Sequence, residues 1–215
     1  IISRLKAEGV SDLVFAGPVR RPSLGDLLPD WWTARFLARV GARALGDDGL
    51  LRAVAGALED EGFRVVGLHD ILNDLPTLPG RVGTLEPDEA ARGDIARGIE
   101  VARGLGLLDV GQGCVVQQGI VLAVEAVEGT DAMLDRCGPL RRPGSGGVLV
   151  KVKKPQQDTR LDLPTIGVRT VEKAAAAGLA GIAVEAGGTL MVDRAGVAAA
   201  ADRLGLFVVG VEVPS

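Results

Sequence analysis

Leu58-Glu59-Asp60-Glu61-Gly62-Phe63-Arg64-Val65-Val66-Gly67 decides the fold class. A charged helical end stops at Gly62, an apolar strand follows, and a second glycine closes it. The same order returns near the other end as Ala201-Asp202-Arg203-Leu204-Gly205-Leu206-Phe207-Val208-Val209-Gly210. Both are the generic helix-to-strand unit of an α/β protein, a reading preferred to gene duplication. Upstream of the first copy, residues 11–17 read as a short buried strand running into a Gly-Pro turn, and residues 18–22 as an extended basic loop. Residues 31–45 read as a helix with Trp32, Phe36, Leu37 and Val40 on one face. Asp47 or Asp48 is expected to cap a helix over residues 50–61, and residues 63–68 form the strand. Strand, helix, helix, strand with short connections is half of a parallel sheet.

Residues 73–80 (Asn-Asp-Leu-Pro-Thr-Leu-Pro-Gly) are the best linker candidate. A long helix is expected over 87–105, with Pro87 in its first turn. Residues 109–127 alternate around Gln117-Gln118-Gly119 and read as a β-hairpin. Glu128-Gly129-Thr130-Asp131 looks like a turn opening a short helix, with Thr130 or Asp131 as N-cap. Residues 141–147 read as a flexible basic, glycine-rich loop and 148–152 as a strand. A helix over 170–177, strands over 181–185 and 189–192, a helix over 195–204 and a strand over 206–213 complete the chain. The organisation expected is an α/β protein of two domains. Residues 1–74 form a Rossmann-like N-terminal domain, 75–80 a linker, and 81–215 a mixed α/β catalytic domain. The chain opens with Ile1-Ile2-Ser3 and no methionine, in what reads as mid-helix, so the first domain is expected to be incomplete.

Composition removes several function classes. Of 215 residues, 47% are hydrophobic, so a core is affordable; the formal charge of -4 argues against general nucleic-acid binding. No apolar run reaches the roughly 18 residues of a membrane span, and no signal peptide is visible. Cys114 and Cys137 lack metal-type spacing and read as free cytosolic thiols. His69 is the one histidine, which excludes histidine-rich metallohydrolases; its surroundings read as a strand end. Any metal should therefore be oxygen-ligated, which favours Mg²⁺, with Mn²⁺ as the alternative. Neither the dinucleotide-binding fingerprint nor a P-loop is present, so a Rossmann-type oxidoreductase and a P-loop ATPase are disfavoured.

The chemistry concentrates in Lys151-Val152-Lys153-Lys154-Pro155-Gln156-Gln157-Asp158-Thr159-Arg160-Leu161-Asp162-Leu163-Pro164-Thr165-Ile166-Gly167. Fixed cations beside carboxylates suit a phosphate and a divalent cation; the competing reading is a solvated, salt-bridged loop. Glu125, Glu128, Thr130, Asp131 and Glu185 complete the inventory of oxygen ligands after the linker. The segment is expected to be extended, so that Asp158 and Asp162 face one side and Lys151 and Lys153 share a face.

Several of these strings resemble one family. They are Leu108-Asp109-Val110-Gly111-Gln112-Gly113, Val124-Glu125-Ala126-Val127-Glu128-Gly129-Thr130-Asp131-Ala132-Met133-Leu134, and the run from Lys154 to Gly167. Gly181-Ile182-Ala183-Val184-Glu185-Ala186-Gly187-Gly188 and Leu206-Phe207-Val208-Val209-Gly210 follow, and Phe15-Ala16-Gly17-Pro18-Val19-Arg20-Arg21-Pro22 and Gly46-Asp47-Asp48-Gly49-Leu50-Leu51 precede. Together they are similar to the UDP-2,3-diacylglucosamine pyrophosphatases of the LpxI type. The resemblance implies two α/β domains with the ligand between them. It also implies Mg²⁺-dependent hydrolysis of UDP-2,3-diacylglucosamine to UMP and 2,3-diacylglucosamine 1-phosphate (lipid X), a step of lipid A synthesis. On this reading Asp158, Asp162, Lys151 and Arg160 are catalytic. Gly129, Thr130, Lys153, Lys154 and Gln157 bind substrate, and Asp131, Asp158 and Asp162 hold the metal. The alternative is a non-catalytic module that binds a nucleotide-sugar or an acylated sugar phosphate. Localisation is expected to be cytoplasmic, weakly peripheral on the inner membrane, without nucleic acid as a partner. The acyl chains would lie between the domains, with Trp31, Trp32, Phe36 and Leu37 as apolar candidates and residues 73–80 as hinge.

Overall fold

The computed structural model describes residues 1–17 and 47–214. The helix expected over 31–45, the basic loop at 18–22 and the apolar candidates Trp31, Trp32, Phe36 and Leu37 lie outside the described residues. The chain forms two units: Ile1–Leu72 together with Asp158–Asp162, and Asn73–Gln157 together with Leu163–Ser215.

In the first unit helix α1 (Ile2–Ala7) leads into strand β1 (Asp12–Val14). Helix α2 (Asp47–Asp60) is followed by β2 (Arg64–Val66). The two strands pair in parallel, Leu13 opposite Val65, as the helix-to-strand reading of 58–67 requires. Gly62 closes α2 at a φ of 92°, a left-handed conformation that only glycine adopts without strain. Ala55, Val65 and Leu161 form a small core, joined by Phe15, Leu51 and Leu58. β1 is less buried than its composition suggested: Leu13 is half-buried and Val14 is exposed. His69 does not end a strand but sits in a one-turn helix, α3 (Leu68–Ile71), beside Asp70.

The second unit is built on a six-stranded mixed sheet. Its strands are β3 (Gly80–Val82), β4 (Gly113–Gln117), β5 (Ile120–Val124), β6 (Val148–Lys151), β8 (Gly181–Glu185) and β10 (Phe207–Val211), in the order β3-β10-β8-β6-β4-β5. β6, β8 and β10 run parallel, while β3, β4 and β5 are antiparallel to their neighbours. Both faces are covered, which is why the parallel strands read as continuous apolar runs. Alternate residues serve the two faces. Cys114, Val116, Val148, Val150, Ala183 and Phe207 pack with Ala91, Ile95 and Ala102 of helix α4 (Glu89–Leu107). Val115, Leu149, Ile182, Val184 and Val208 pack against the other three helices, α5 (Gly129–Cys137), α6 (Val168–Ala176) and α7 (Arg194–Leu204). Each fully buried Val, Leu or Ile contributes about 1.5–3 kcal/mol. A short parallel pair, β7 (Thr165–Ile166) with β9 (Leu190–Met191), stands apart from this sheet.

The hairpin read from 109–127 is present as β4 and β5. Gln118 and Gly119 both have positive φ, 54° and 74°, the pattern of a two-residue primed turn. The buried Asp94 carboxylate of α4 accepts the N–H of Gln118 (3.0 Å) and of Gly119 (2.7 Å). This bond ties the turn to the long helix. One helix boundary and the setting of two loops add to the sequence reading. Asp88, not Pro87, opens α4: its side chain accepts the N–H of Ala91 at 2.8 Å. The loop at 141–147 is held by the fully buried Gln117, whose Nε2 donates to the carbonyls of Arg142 and Ser145 and whose Oε1 accepts from Arg142 N. The linker candidate is bonded into the second unit: Thr77 N donates to Thr189 O, and Met191 N to Leu75 O.

Two glycines of α4 give a paired prediction. A Cβ on Gly98 would overlap the buried Val150 side chain, whereas one on Gly104 meets nothing within 4 Å. Gly98→Ala should destabilise by about 1–3 kcal/mol, and Gly104→Ala should stabilise by up to about 1 kcal/mol. Urea denaturation of both variants checks the contrast.

Candidate active site

Lys151, Lys153 and Lys154 emerge where the parallel strands β6 and β8 end, the side of an α/β sheet at which ligands bind. β6 stops at Lys151. Val152 then donates its N–H to Gln112 O (3.0 Å) and buries its side chain against α4. That bond carries the pairing with β4 one residue past the strand, and Val152 joins Val148 and Val150 on the α4 face, as alternation requires. Each lysine meets its own carboxylate. Lys151 Nζ donates to Thr130 Oγ1 at 2.5 Å and lies 3.6 Å from Glu125 Oε1. The Thr130 hydroxyl itself donates to Glu125 Oε1 at 2.6 Å. Lys153 Nζ donates to Glu185 Oε1 at 2.6 Å, and its backbone N–H to Glu185 Oε2 at 2.9 Å. Lys154 Nζ donates to Asp109 Oδ1 at 2.5 Å. Gln157 Oε1 accepts the N–H of Lys154, which shapes the turn at Pro155.

Asp109 is the lysine partner that sequence reasoning missed, while Glu125 and Glu185 stood there only as oxygen ligands, without a lysine assigned to either. Glu125 and Glu185 carried a signal, being carboxylates at strand ends. Asp109 carried none, because its partner lies 45 residues away and its own φ of 54° is a tertiary feature.

Helix α5 begins at Gly129, with a φ of 78°. Its N-cap position is Glu128, which makes no side-chain cap bond, so neither Thr130 nor Asp131 acts as the cap. Glu128 receives Arg136 Nη2 at 2.6 Å. Asp131 ion-pairs with Arg169 at 2.8 Å on the surface.

Asp158, Arg160 and Asp162 belong to the first unit. Their segment is a turn rather than extended chain: the N–H groups of Leu161 and Asp162 both donate to Asp158 O, at 3.0 and 3.4 Å. The Arg160 guanidinium grips Asp158 through both oxygens, Nε to Oδ1 at 3.0 Å and Nη2 to Oδ2 at 2.8 Å. Its Nη1 reaches Glu59 at 2.8 Å. These hydrogen bonds hold the Asp158 carboxyl below the ordinary carboxylate range and push Arg160 further up.

Among the described residues no three carboxylate, histidine or cysteine side chains gather as a ready-made metal cage. The donor chemistry still fits a hard cation. Mg²⁺ takes oxygen, keeps several waters, and is commonly held by one or two carboxylates with substrate phosphate. The thiols play no part: burial pushes Cys114 up to about 12 and also raises Cys137, so neither supplies a thiolate nucleophile.

The depressed Asp158 carboxyl sets a pH dependence. Its ion pair stabilises fully above the unfolded value of 3.8, and that contribution is lost as pH falls through the lower folded value. Asp158→Asn should therefore melt below wild type at neutral pH. The difference should shrink below about pH 4 as wild type protonates, measured by thermal unfolding across pH.

Residues 1–75 match the LpxI N-terminal domain and residues 79–209 the LpxI C-terminal domain. The chain is similar to the UDP-2,3-diacylglucosamine pyrophosphatase LpxI of Caulobacter vibrioides. It is 49% identical to that protein over 219 residues, covering 99% of this chain and 78% of the relative. Two matched domains of one family in their proper order, with a relative aligned across nearly the whole chain, place this protein in the LpxI family.

Proposed function

We propose that the chain hydrolyses UDP-2,3-diacylglucosamine to UMP and lipid X in lipid A synthesis, the activity that its Caulobacter relative is named for. What supports the reading most is the row of three lysines at the ends of the parallel strands, each already matched to a carboxylate. A diphosphate carries the negative charge such a row attracts, and the charge that grows on the bridging oxygen in the transition state needs fixed donors. Lys151, with Lys153 and Lys154, would bind the phosphates, while Gly129, Thr130 and Gln157 would position the substrate. Asp131, Asp158 and Asp162 would hold Mg²⁺ (or Mn²⁺), and Arg160 would act in catalysis beside Asp158, whose carboxylate it grips. Bound there, the cation would neutralise phosphate charge and lower the barrier to attack by water.

The first unit, with its parallel β1–β2 pair, is read as Rossmann-like. No helix among the described residues is long and apolar enough to cross a membrane. We therefore read the enzyme as cytoplasmic and weakly peripheral, meeting its lipid substrate at the inner membrane surface.

The test is UMP release from UDP-2,3-diacylglucosamine, with and without Mg²⁺. Wild type should turn over only with the cation. Asp158→Ala and Asp162→Ala should each lose orders of magnitude in kcat while remaining folded. Near-normal turnover in both variants would remove them from the metal site. Lipid X binding without any UMP release by wild type would favour the non-catalytic binding module.

A further inference from the structure

The metal and substrate assignments above leave Glu125 outside the reaction, yet its surroundings give it a part in it. Its side chain is 9% exposed and that of Lys151 5%. One carboxylate oxygen, Oε1, takes the Thr130 proton and faces the Lys151 ammonium. The other, Oε2, is buried and meets no hydrogen-bond donor among the described residues. A buried acceptor left unmatched costs stability, and more so when it carries charge. The backbone is shaped around it all the same. A Cβ on Gly113 would come within 2.7 Å of Glu125 Oε2, and one on Gly111 would overlap the Glu125 carbonyl. Glycine at both positions lets the carboxylate lie where it does.

The consequence falls on Thr130. A hydroxyl has one proton and two lone pairs. The proton is committed to Glu125, and one lone pair is taken by Lys151 Nζ. One lone pair remains on the oxygen of this half-buried residue. Thr130 Oγ1 therefore has nothing to donate to an ionised phosphate oxygen and can only accept. Lys151, pinned on one side by Thr130 and Glu125, keeps its remaining N–H groups for phosphate.

We propose that Glu125 is a positioning residue that makes Thr130 an acceptor for an O–H donor of the reaction, either the attacking water or a free hydroxyl of the substrate sugar. The proposal rests on the hydrolase reading above. It departs from a simple phosphate-binding role for Thr130, since the polarity of that contact is reversed.

Steady-state kinetics on Thr130→Ser, Thr130→Val, Glu125→Gln and the Glu125→Gln/Thr130→Val pair, each with its Tm, test it. Thr130→Ser keeps the hydroxyl and should stay within about threefold of wild type. Thr130→Val and Glu125→Gln should each lose about 10- to 100-fold. A loss in kcat with KM unchanged identifies water as the donor, and a rise in KM identifies the sugar hydroxyl. In the Thr130→Val background Glu125→Gln should cost little more, because it acts through the group already removed. If Thr130→Val matches Thr130→Ser in both kcat and KM, or if the two losses multiply in full, the proposal is overturned. Should Glu125→Gln fail to fold, the Thr130 pair alone decides. An inactive wild type overturns the hydrolase reading and this proposal together, whereas an active wild type with unaffected variants overturns this proposal alone.

Discussion

Three ammonium groups leave the backbone within four residues at the end of β6, and two of them, Lys151 and Lys154, are almost wholly buried. An uncompensated buried charge costs several kcal/mol, so such a cluster exists only where the fold delivers counter-charges. It does so from three directions. Asp109 comes from the turn after α4, Glu125 from the end of β5, and Glu185 from the end of β8. The strand order follows from the same need. β6 lies between β8 and β4, and β5 lies beside β4, so both flanks of the lysine strand end in a glutamate. The glycines at 111 and 113 belong to this arrangement, because a side chain at either would displace Glu125.

The same pairing keeps the three ammonium groups ordered. Side chains locked by hydrogen bonds need less reorganisation when charge develops on a ligand, and this preorganisation is the larger part of electrostatic catalysis. The acidic segment follows the same logic in the first unit. Leu161 is anchored in the small core with Ala55 and Val65. The turn around it presents Asp158 to Arg160, and Glu59 on α2 holds the far side of the guanidinium. The charged turn from 158 to 162 is thus pinned in place by one leucine and a network of ion pairs.

Sequence and structure part company where a local rule was extended beyond its range. Alternation placed the β4–β5 hairpin well, because a turn with two positive-φ residues is written in Gln118-Gly119 itself. Alternation also held at the end of β6, where Val148, Val150 and Val152 all pack on the α4 face. Capping preference suggested Thr130 or Asp131, but a buried lysine and glutamate claim the first and Arg169 the second. The extended reading of the 158–162 segment gave way to a turn. Two prolines restrict φ, but a leucine seeking a core decided the direction of the chain.

The sequence by itself determined the α/β class, most of the strands and helices, the family, and the residues in which charge is concentrated. Those properties are local: periodicity, glycine stops and motif strings are read over ten or twenty residues. The tertiary structure decided the partners. Asp109 with Lys154, Glu125 with Lys151, and Glu185 with Lys153 join residues 45, 26 and 32 positions apart. Only sheet order and the turn into which each chain end is folded bring them within hydrogen-bond distance. No local pattern encodes that distance, because Coulomb energy depends on separation in space, and a chain can close the same separation through many intervening lengths.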